Sequence, residues 1–132
     1  MNQLKGSCHC GKIQYTVDNQ PFDGDYCHCR DCQKITGSPV SAWIDFKVEQ
    51  VIWNNEKPKE YHSSASIRRG FCEHCGSTLS YRHKKHPEYI TLAITSLDNP
   101  NLVHPNYHIY TASQVNWLTI NDDLPRYHKS RN

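Results

Sequence analysis

Three short clusters contain all the cysteines of this chain, and this arrangement limits the folds that it can adopt. The clusters have the spacings C-x-C, C-x-C-x2-C and C-x2-C, and their seven thiols cannot all pair as disulfides. Such spacings are typical of zinc sites. No charged-then-apolar signal segment opens the sequence, so we expect a cytoplasmic protein whose thiols stay reduced and bind metal. The thiols belong to Cys8 and Cys10, to Cys27, Cys29 and Cys32, and to Cys72 and Cys75.

The simplest division of seven thiols is four plus three. The two pairs can complete one tetrahedral four-sulfur zinc site, which would be closed and structural. Each pair is followed by a glycine, Gly11 and Gly76, whose tolerance of positive φ lets a tight loop turn its N–H groups toward the sulfurs. Such a site would contribute folding free energy directly. Its ligands would be Cys8, Cys10, Cys72 and Cys75.

The triplet Cys27, Cys29 and Cys32 offers three of the four ligands that zinc takes. A three-ligand zinc keeps a position for water or substrate, which is the pattern of catalytic sites. The alternative is that a histidine fills the fourth corner and makes this site structural too. His28 is nearest in sequence, but in an extended C-x-C segment it points away from the face that carries both sulfurs. The chain has 9 histidines, so a distant one could still reach, and both interpretations stay open.

Alternating apolar and polar residues predict a mainly β chain. No segment longer than about 10 residues has a helical period. One short helical turn is predicted over residues 32–35, capped by Asp31 and stopped by Gly37. The predicted strands are 12–17, 40–46, 48–53, 59–63, 67–71, 78–82, 89–97, 107–111 and 116–120.

Residues 1–132 are predicted to form a single domain, because no linker, repeat or low-complexity tract interrupts them. Residues 1–6 are interpreted as a short polar lead, and residues 126–132 as a mobile tail. The hydrophobic content of 36% predicts a thin core that needs cross-linking by metal. Within that core we expect Trp43, Phe46 and Trp117.

The charge of the chain does not favour nucleic acid as a partner. The formal charge is +2, and two zinc ions with seven thiolates would bring it to about −1. The basic pairs at 68–69 and 84–85 and the basic tail are typical of solvated surfaces, and no aromatic-plus-basic stripe accompanies them. No apolar run approaches the roughly 18 residues of a membrane span.

Three motifs in a fixed order resemble a known family. They are G-S-C-H-C-G at 6–11, C-H-C-x2-C-Q at 27–33 and R-x-F-C-x2-C-G-S at 69–77. Further matches follow at 97–100, 105–109, 117 and 123–125. This pattern resembles the glutathione-dependent formaldehyde-activating family, which includes the centromere protein V domain. The resemblance covers nearly the whole chain and implies a tent-like fold of small antiparallel sheets. It implies a structural zinc on the two pairs and a catalytic zinc on the triplet.

The implied reaction adds the thiol of glutathione to formaldehyde and gives S-hydroxymethylglutathione; its reverse is a carbon–sulfur lyase step. Glutathione carries two carboxylates, so cationic anchors are expected, and the candidates are Arg30, Arg68 and Arg69. A group must also protonate the new alkoxide. His28 is a candidate for this role, although we expect it rather to support a metal ligand or to lie on the surface. Asp31 is expected to be a helix cap rather than a base.

Three alternatives remain open at this point. His108 could shape the site or be an ordinary hydrogen-bonded structural histidine. The protein could also be a zinc-stabilised binding module without turnover, acting as a thiol carrier or on chromatin or protein partners. A third possibility keeps the site chemistry but with another thiol or electrophile.

Overall fold

The computed structural model describes residues 3–131, and it is mainly β, as predicted. Within these residues no helix is long and apolar enough to cross a membrane. The single α-helix described, α1, spans Arg30–Thr36. The strands are β1 (Gln3–Ser7), β2 (Ile13–Asp18), β3 (Asp23–Cys27), β4 (Ser41–Lys47), β5 (Val51–Asn55), β6 (Lys59–His62), β7 (Ile67–Phe71), β8 (Thr78–His83), β9 (Tyr89–Ala93) and β10 (His108–Ile109). Short 3₁₀ turns occupy Val48–Gln50, Ile94–Ser96, Pro100–Leu102 and Thr111–Ser113.

The strands form two sheets. A three-stranded antiparallel sheet has the order β1-β2-β5, and a seven-stranded sheet has the order β10-β3-β4-β9-β8-β7-β6. Pairing in the larger sheet is antiparallel except where β10 lies parallel to β3. The antiparallel sheets implied by the family resemblance are therefore present, with this one short parallel pair added.

Strand β4 separates the hydrophobic core from the opposite face of the larger sheet. Ile44 and Phe46 are fully buried and pack with residues of the three-stranded sheet, such as Val17. Because side chains alternate along a strand, Trp43 and Asp45 point the other way. Phe46 is thus a core residue as predicted, and the core is shared by both sheets.

The cavity face of the larger sheet can be followed from strand to strand. Asp25 of β3 lies opposite Trp43, and Asp45 lies opposite Thr91 of β9. Directly paired residues share a face, and Cys27 lies two residues beyond Asp25 on the same side of β3. The sheet therefore presents an apolar face to the core and a polar face with a cysteine to the site.

The predicted strand 116–120 is absent, and Trp117 is 72% exposed rather than part of the core. The physical reason lies in the pairing of β10. Its outer edge is taken by the chain around Arg126, which forms a bridge with His108, so residues 116–120 find no strand to pair with. Strand 107–111 shortens to His108–Ile109, because Tyr110 adopts a left-handed conformation (φ 57°) and a 3₁₀ turn begins at Thr111.

Three other predictions along the chain need correction. Residues 1–6 were interpreted as a polar lead, but Gln3–Ser7 pairs with β2 and buries Leu4; Met1 and Asn2 lie outside the described residues. The long prediction 89–97 ends as a strand at Ala93, where a 3₁₀ turn begins. The predicted 48–53 likewise begins with a 3₁₀ turn before β5.

The tail that was expected to be mobile is hydrogen bonded over much of its length. The N–H of Tyr127 donates to the His108 carbonyl at 2.9 Å, and the N–H of Tyr110 donates to the Lys129 carbonyl at 2.9 Å. Arg131 Nη1 lies 3.3 Å from Asp23 Oδ2. These contacts attach residues 126–131 to the larger sheet, while Asn132 lies outside the described residues.

Candidate metal and active site

The four cysteines of the two pairs come together in one group. Their sulfurs all lie within 4.8 Å of one another. The Sγ atom of Cys10 lies 3.6 Å from that of Cys8 and 3.8 Å from that of Cys72. Zinc–sulfur bonds of 2.3 Å in a tetrahedron would place the sulfurs about 3.8 Å apart. The donor set and its spacing therefore fit a closed zinc site.

Tight turns ending in glycine bring each pair into this position. Gly11 (φ 82°) donates its N–H to the Cys8 carbonyl at 3.1 Å, and Gly76 (φ 80°) donates to the Cys72 carbonyl at 2.8 Å. The N–H of Ile13 also donates to Cys8 Sγ at 3.3 Å. Positive φ at both glycines is the conformation that the sequence predicted, and it closes the loops around the sulfurs.

The triplet forms a second group. Cys27 Sγ lies 3.3 Å from Cys29 Sγ and 3.5 Å from Cys32 Sγ, close to the separation that a tetrahedral zinc requires. Within residues 3–131 no histidine or carboxylate joins these three sulfurs. All seven thiols of the chain are free. The three sulfurs thus fit a zinc ion whose fourth corner is left to another ligand.

Helix α1 places the third sulfur of the triplet, and its cap differs from the prediction. The N-cap is Cys29, not Asp31: the Cys29 sulfur accepts the N–H of Cys32 at 3.3 Å, while Asp31 lies in the first turn. The extended backbone at Cys29 (ψ 152°) turns its sulfur over the helix start, where free N–H groups favour negative charge. The helix ends at Gly37 (φ 70°), as predicted.

Arg69 is the cation beside the triplet. It is 5% exposed, its Nη1 donates to Cys32 Sγ at 3.5 Å, and its guanidinium carbon lies 5.1 Å from the ring centre of Tyr81. Its Nε has no hydrogen-bond partner among residues 3–131. Hydrogen bonds from the other two thiols, and then Arg69, hold the pKa of Cys32 well below its usual value. Arg69 therefore stabilises a thiolate within the triplet.

The other two candidate anchors lie elsewhere. Arg30 is exposed, and its Nη1 donates to Gln33 Oε1 at 2.6 Å. Arg68 precedes Arg69 on β7 and so points to the opposite face of the sheet. Gln33 is a residue that the sequence reasoning missed, although it belongs to the C-H-C-x2-C-Q motif. Its buried Nε2 donates to the carbonyls of His28 at 3.0 Å and Ser113 at 3.1 Å.

His28 lies in a chain of hydrogen bonds and does not reach the sulfurs. Its Nε2 lies 2.8 Å from His108 Nδ1, and His108 Nε2 lies 2.9 Å from Asp122 Oδ2. Both rings are fully buried, and burial lowers the pKa of His28 to about 4. With His108 donating to the carboxylate, its other nitrogen accepts from a neutral His28. The expectation that His28 points away from the sulfurs agrees with this geometry.

A cavity of about 360 Å³ opens beside the triplet. Trp43 forms part of its wall and also packs against Cys27 and Cys32, so this buried residue is both core and wall. A larger hollow of about 490 Å³ elsewhere contains none of the cysteines. The lining residues beside the triplet are Asp25, Asp31, Trp43, Asp45, Ile67, Arg69, Tyr81, Thr91, Ile109 and Tyr110.

Two carboxyls of this cavity were missed by the sequence reasoning. Burial, then neighbouring carboxylates, raises the pKa of Asp25 to about 8, and burial raises the pKa of Asp45 to about 6. Thr91 Oγ1 donates to Asp45 Oδ1 at 2.6 Å. The available signal for Asp25 was the D-x-D-x-C run at 23–27, whose alternation puts Asp25 on the same side as Cys27.

Comparison with known proteins gives a consistent result. The profile of the glutathione-dependent formaldehyde-activating enzyme family matches residues 3–113. An uncharacterized lyase of Schizosaccharomyces pombe is 32% identical over 92 residues, which are 68% of this chain and 66% of that protein. A Halomonas elongata protein provisionally named as a glutathione-dependent formaldehyde-activating enzyme is 26% identical over 89% of this chain and 80% of its own length. A crystal structure of a Rhodobacter sphaeroides protein superposes with a TM-score of 0.61 at 23% identity, covering 76% of this chain and 96% of that one, and this likeness concerns the fold alone.

Proposed function

This chain belongs to the glutathione-dependent formaldehyde-activating enzyme family, and we propose that it joins the thiol of glutathione to formaldehyde at the triplet. The observation that carries the proposal is the group of three sulfurs at 3.3 and 3.5 Å, without a fourth ligand among residues 3–131, on the wall of a cavity. A second zinc, on the four-sulfur group, has a structural role in this proposal. The reverse reaction makes the protein a carbon–sulfur lyase.

In this reaction a bond forms between the glutathione sulfur and the formaldehyde carbon. The thiol loses its proton, the carbonyl π pair moves to oxygen, and that oxygen takes a proton, so the product is S-hydroxymethylglutathione. When bound at the triplet, Zn²⁺ supplies a Lewis acid that lowers the pKa of a thiol and fixes its position. The three thiolates would place a charge of −3 around the ion, and Arg69 offsets part of it beside Cys32.

The chain's own residues define where substrates can go. Of the three candidate anchors, Arg69 alone lines the cavity, so we assign it to a glutathione carboxylate. Tyr81 holds the guanidinium from one side through its ring. His28 is buried and bonded to His108, which supports a positioning role for the ring rather than proton donation. The free thiols support a reducing, cytoplasmic location as part of the proposal.

The test is exchange between formaldehyde plus glutathione and their adduct, followed by NMR. Wild-type protein with two zinc ions is expected to accelerate exchange, and Cys29→Ser is expected to fall to the spontaneous rate while keeping the four-sulfur zinc. Thr119→Ser, an exposed position outside the cavity, serves as the control and should match wild type. Absence of acceleration by zinc-loaded wild type would reject the named activity and favour a binding module.

A further inference from the structure

The cavity beside the triplet carries more carboxylates than cations. Asp25, Asp31 and Asp45 line it, whereas Arg69 is its one lining cation within residues 3–131. The Nη1 atom of Arg69 already donates to Cys32 Sγ at 3.5 Å, and its buried Nε has no partner in the described part of the chain. A ligand that brought only carboxylates would meet one partly engaged cation and three carboxyl groups. The walls therefore match a ligand that carries positive charge as well.

Two of these carboxyls lack a cationic partner in the described part of the chain. Asp23, on the same strand face, accepts from the Tyr107 hydroxyl at 2.7 Å and pairs with Arg131. In contrast, Asp45 has the hydroxyl of Thr91, and Asp25, which lines the same cavity, has no cation paired with its carboxyl among residues 3–131. A half-buried carboxyl without a counter-charge is ionised only at a cost in free energy. Their retention on a cavity wall is what a charged ligand would explain.

The register of β3 and β4 fixes where these carboxyls lie relative to the triplet. Asp25 is two residues before Cys27 on one strand face, which is about 7 Å along the strand. Asp45 lies opposite Asp23, so it is diagonal to Asp25 and farther from the sulfurs. A ligand whose thiol meets the triplet would thus place its cation several bonds from its sulfur.

We propose that Asp25 and Asp45 form an ammonium subsite, which accepts the free α-amine of the thiol substrate. This inference rests on the proposed function, under which the amine is that of the γ-glutamyl group of glutathione. Its distance from the thiol along the peptide suits the position of the two carboxyls. The carboxylate on the same carbon then has Arg69 as its partner across the cavity. The site recognises a zwitterionic amino-acid end group.

The test compares equilibrium binding of glutathione and of glutathione acetylated at its amine to zinc-loaded protein, by isothermal titration calorimetry. Hydrogen bonds to charged groups predict that wild type binds glutathione roughly 10- to 100-fold more tightly than the acetylated thiol. Asp45→Asn should abolish most of this preference. Asp98→Asn, an exposed aspartate outside the cavity, should retain it. Asp25→Asn provides a second variant, and the zinc content of each variant checks that it is folded.

Equal affinity of wild type for the two thiols, or an unchanged preference in both cavity variants, would overturn the subsite. The NMR exchange assay separates this outcome from failure of the proposed function. A preference without turnover supports the subsite and rejects the reaction; turnover without a preference does the reverse. If neither thiol binds, both the subsite and the choice of glutathione are rejected.

Discussion

Replacing Asp45 by asparagine is expected to stabilise the protein at neutral pH while weakening its site. Asp45 is half-buried between β3 and β9 and has no cation beside it among residues 3–131. Asparagine has nearly the same shape and can still accept the hydrogen bond of Thr91 through its amide oxygen. The substitution therefore removes a charge without opening a cavity.

The magnitude follows from the pKa of the Asp45 carboxyl, which burial raises from 3.8 to about 6. Between these values the folded protein binds the proton more tightly than the unfolded chain, so stability falls as pH rises through this window and the penalty is complete above it. The shift corresponds to about 3 kcal/mol. Since Asp45 keeps contact with water in the cavity, we expect Asp45→Asn to gain about 1–3 kcal/mol at pH 7.

The assay is urea unfolding of wild type and Asp45→Asn between pH 5 and pH 8, with zinc saturating in both proteins. The cysteine sites are identical, so metal effects cancel in the difference. The advantage of the variant should grow by about 1 kcal/mol from pH 5 to pH 7 and then level off. A variant that is less stable than wild type at pH 7, or a difference independent of pH, would refute the reasoning.

The metal sites, the histidine chain and the N-terminal strand give further predictions. Metal analysis of wild type should find two zinc ions per chain, one of them lost readily to a chelator. Cys29→Ser should keep one zinc ion. A single ion in wild type that is released only on unfolding would contradict the open site. His108→Ala should lower the free energy of unfolding by about 2–4 kcal/mol because His28 loses its buried partner, whereas His108→Gln should lower it less. Urea unfolding at fixed zinc concentration distinguishes the two variants. A loss below about 1 kcal/mol for the alanine variant would count against a stabilising role of the histidine hydrogen bonds. Gly6→Ala would place a Cβ against the ring of Tyr15 and should cost about 1–3 kcal/mol in the same assay; a neutral result would show that the ring moves freely.

The sequence predicted the elements in which local pattern and tertiary packing agree. The hairpin of β6 and β7 and the core face of β4 follow from simple alternation. The grouping of the cysteines followed from counting, since four thiols complete a tetrahedron and three do not. The helix start was wrong because a cysteine sulfur, rather than the Asp31 carboxylate, accepts the first free N–H.

Other features depend on contacts that no local pattern contains. Trp117 is exposed because the edge of β10 is occupied by the chain around Arg126, and a sequence does not show which segment takes that edge. The partners of His28 and Arg69 come from 80 and 37 residues away. The carboxyl of Asp45 comes beside the triplet only through the pairing of β4 with its neighbouring strands.

The two cysteine groups differ in when they can form during synthesis of the chain. The triplet closes over six consecutive residues, so it could take up metal as soon as this short segment leaves the ribosome. The four-sulfur group joins Cys10 to Cys72 across a separation of 62 positions, and it must wait until β7 and the loop after it have been made. Chain growth would thus offer a metal ion to the triplet first and to the four-sulfur group last.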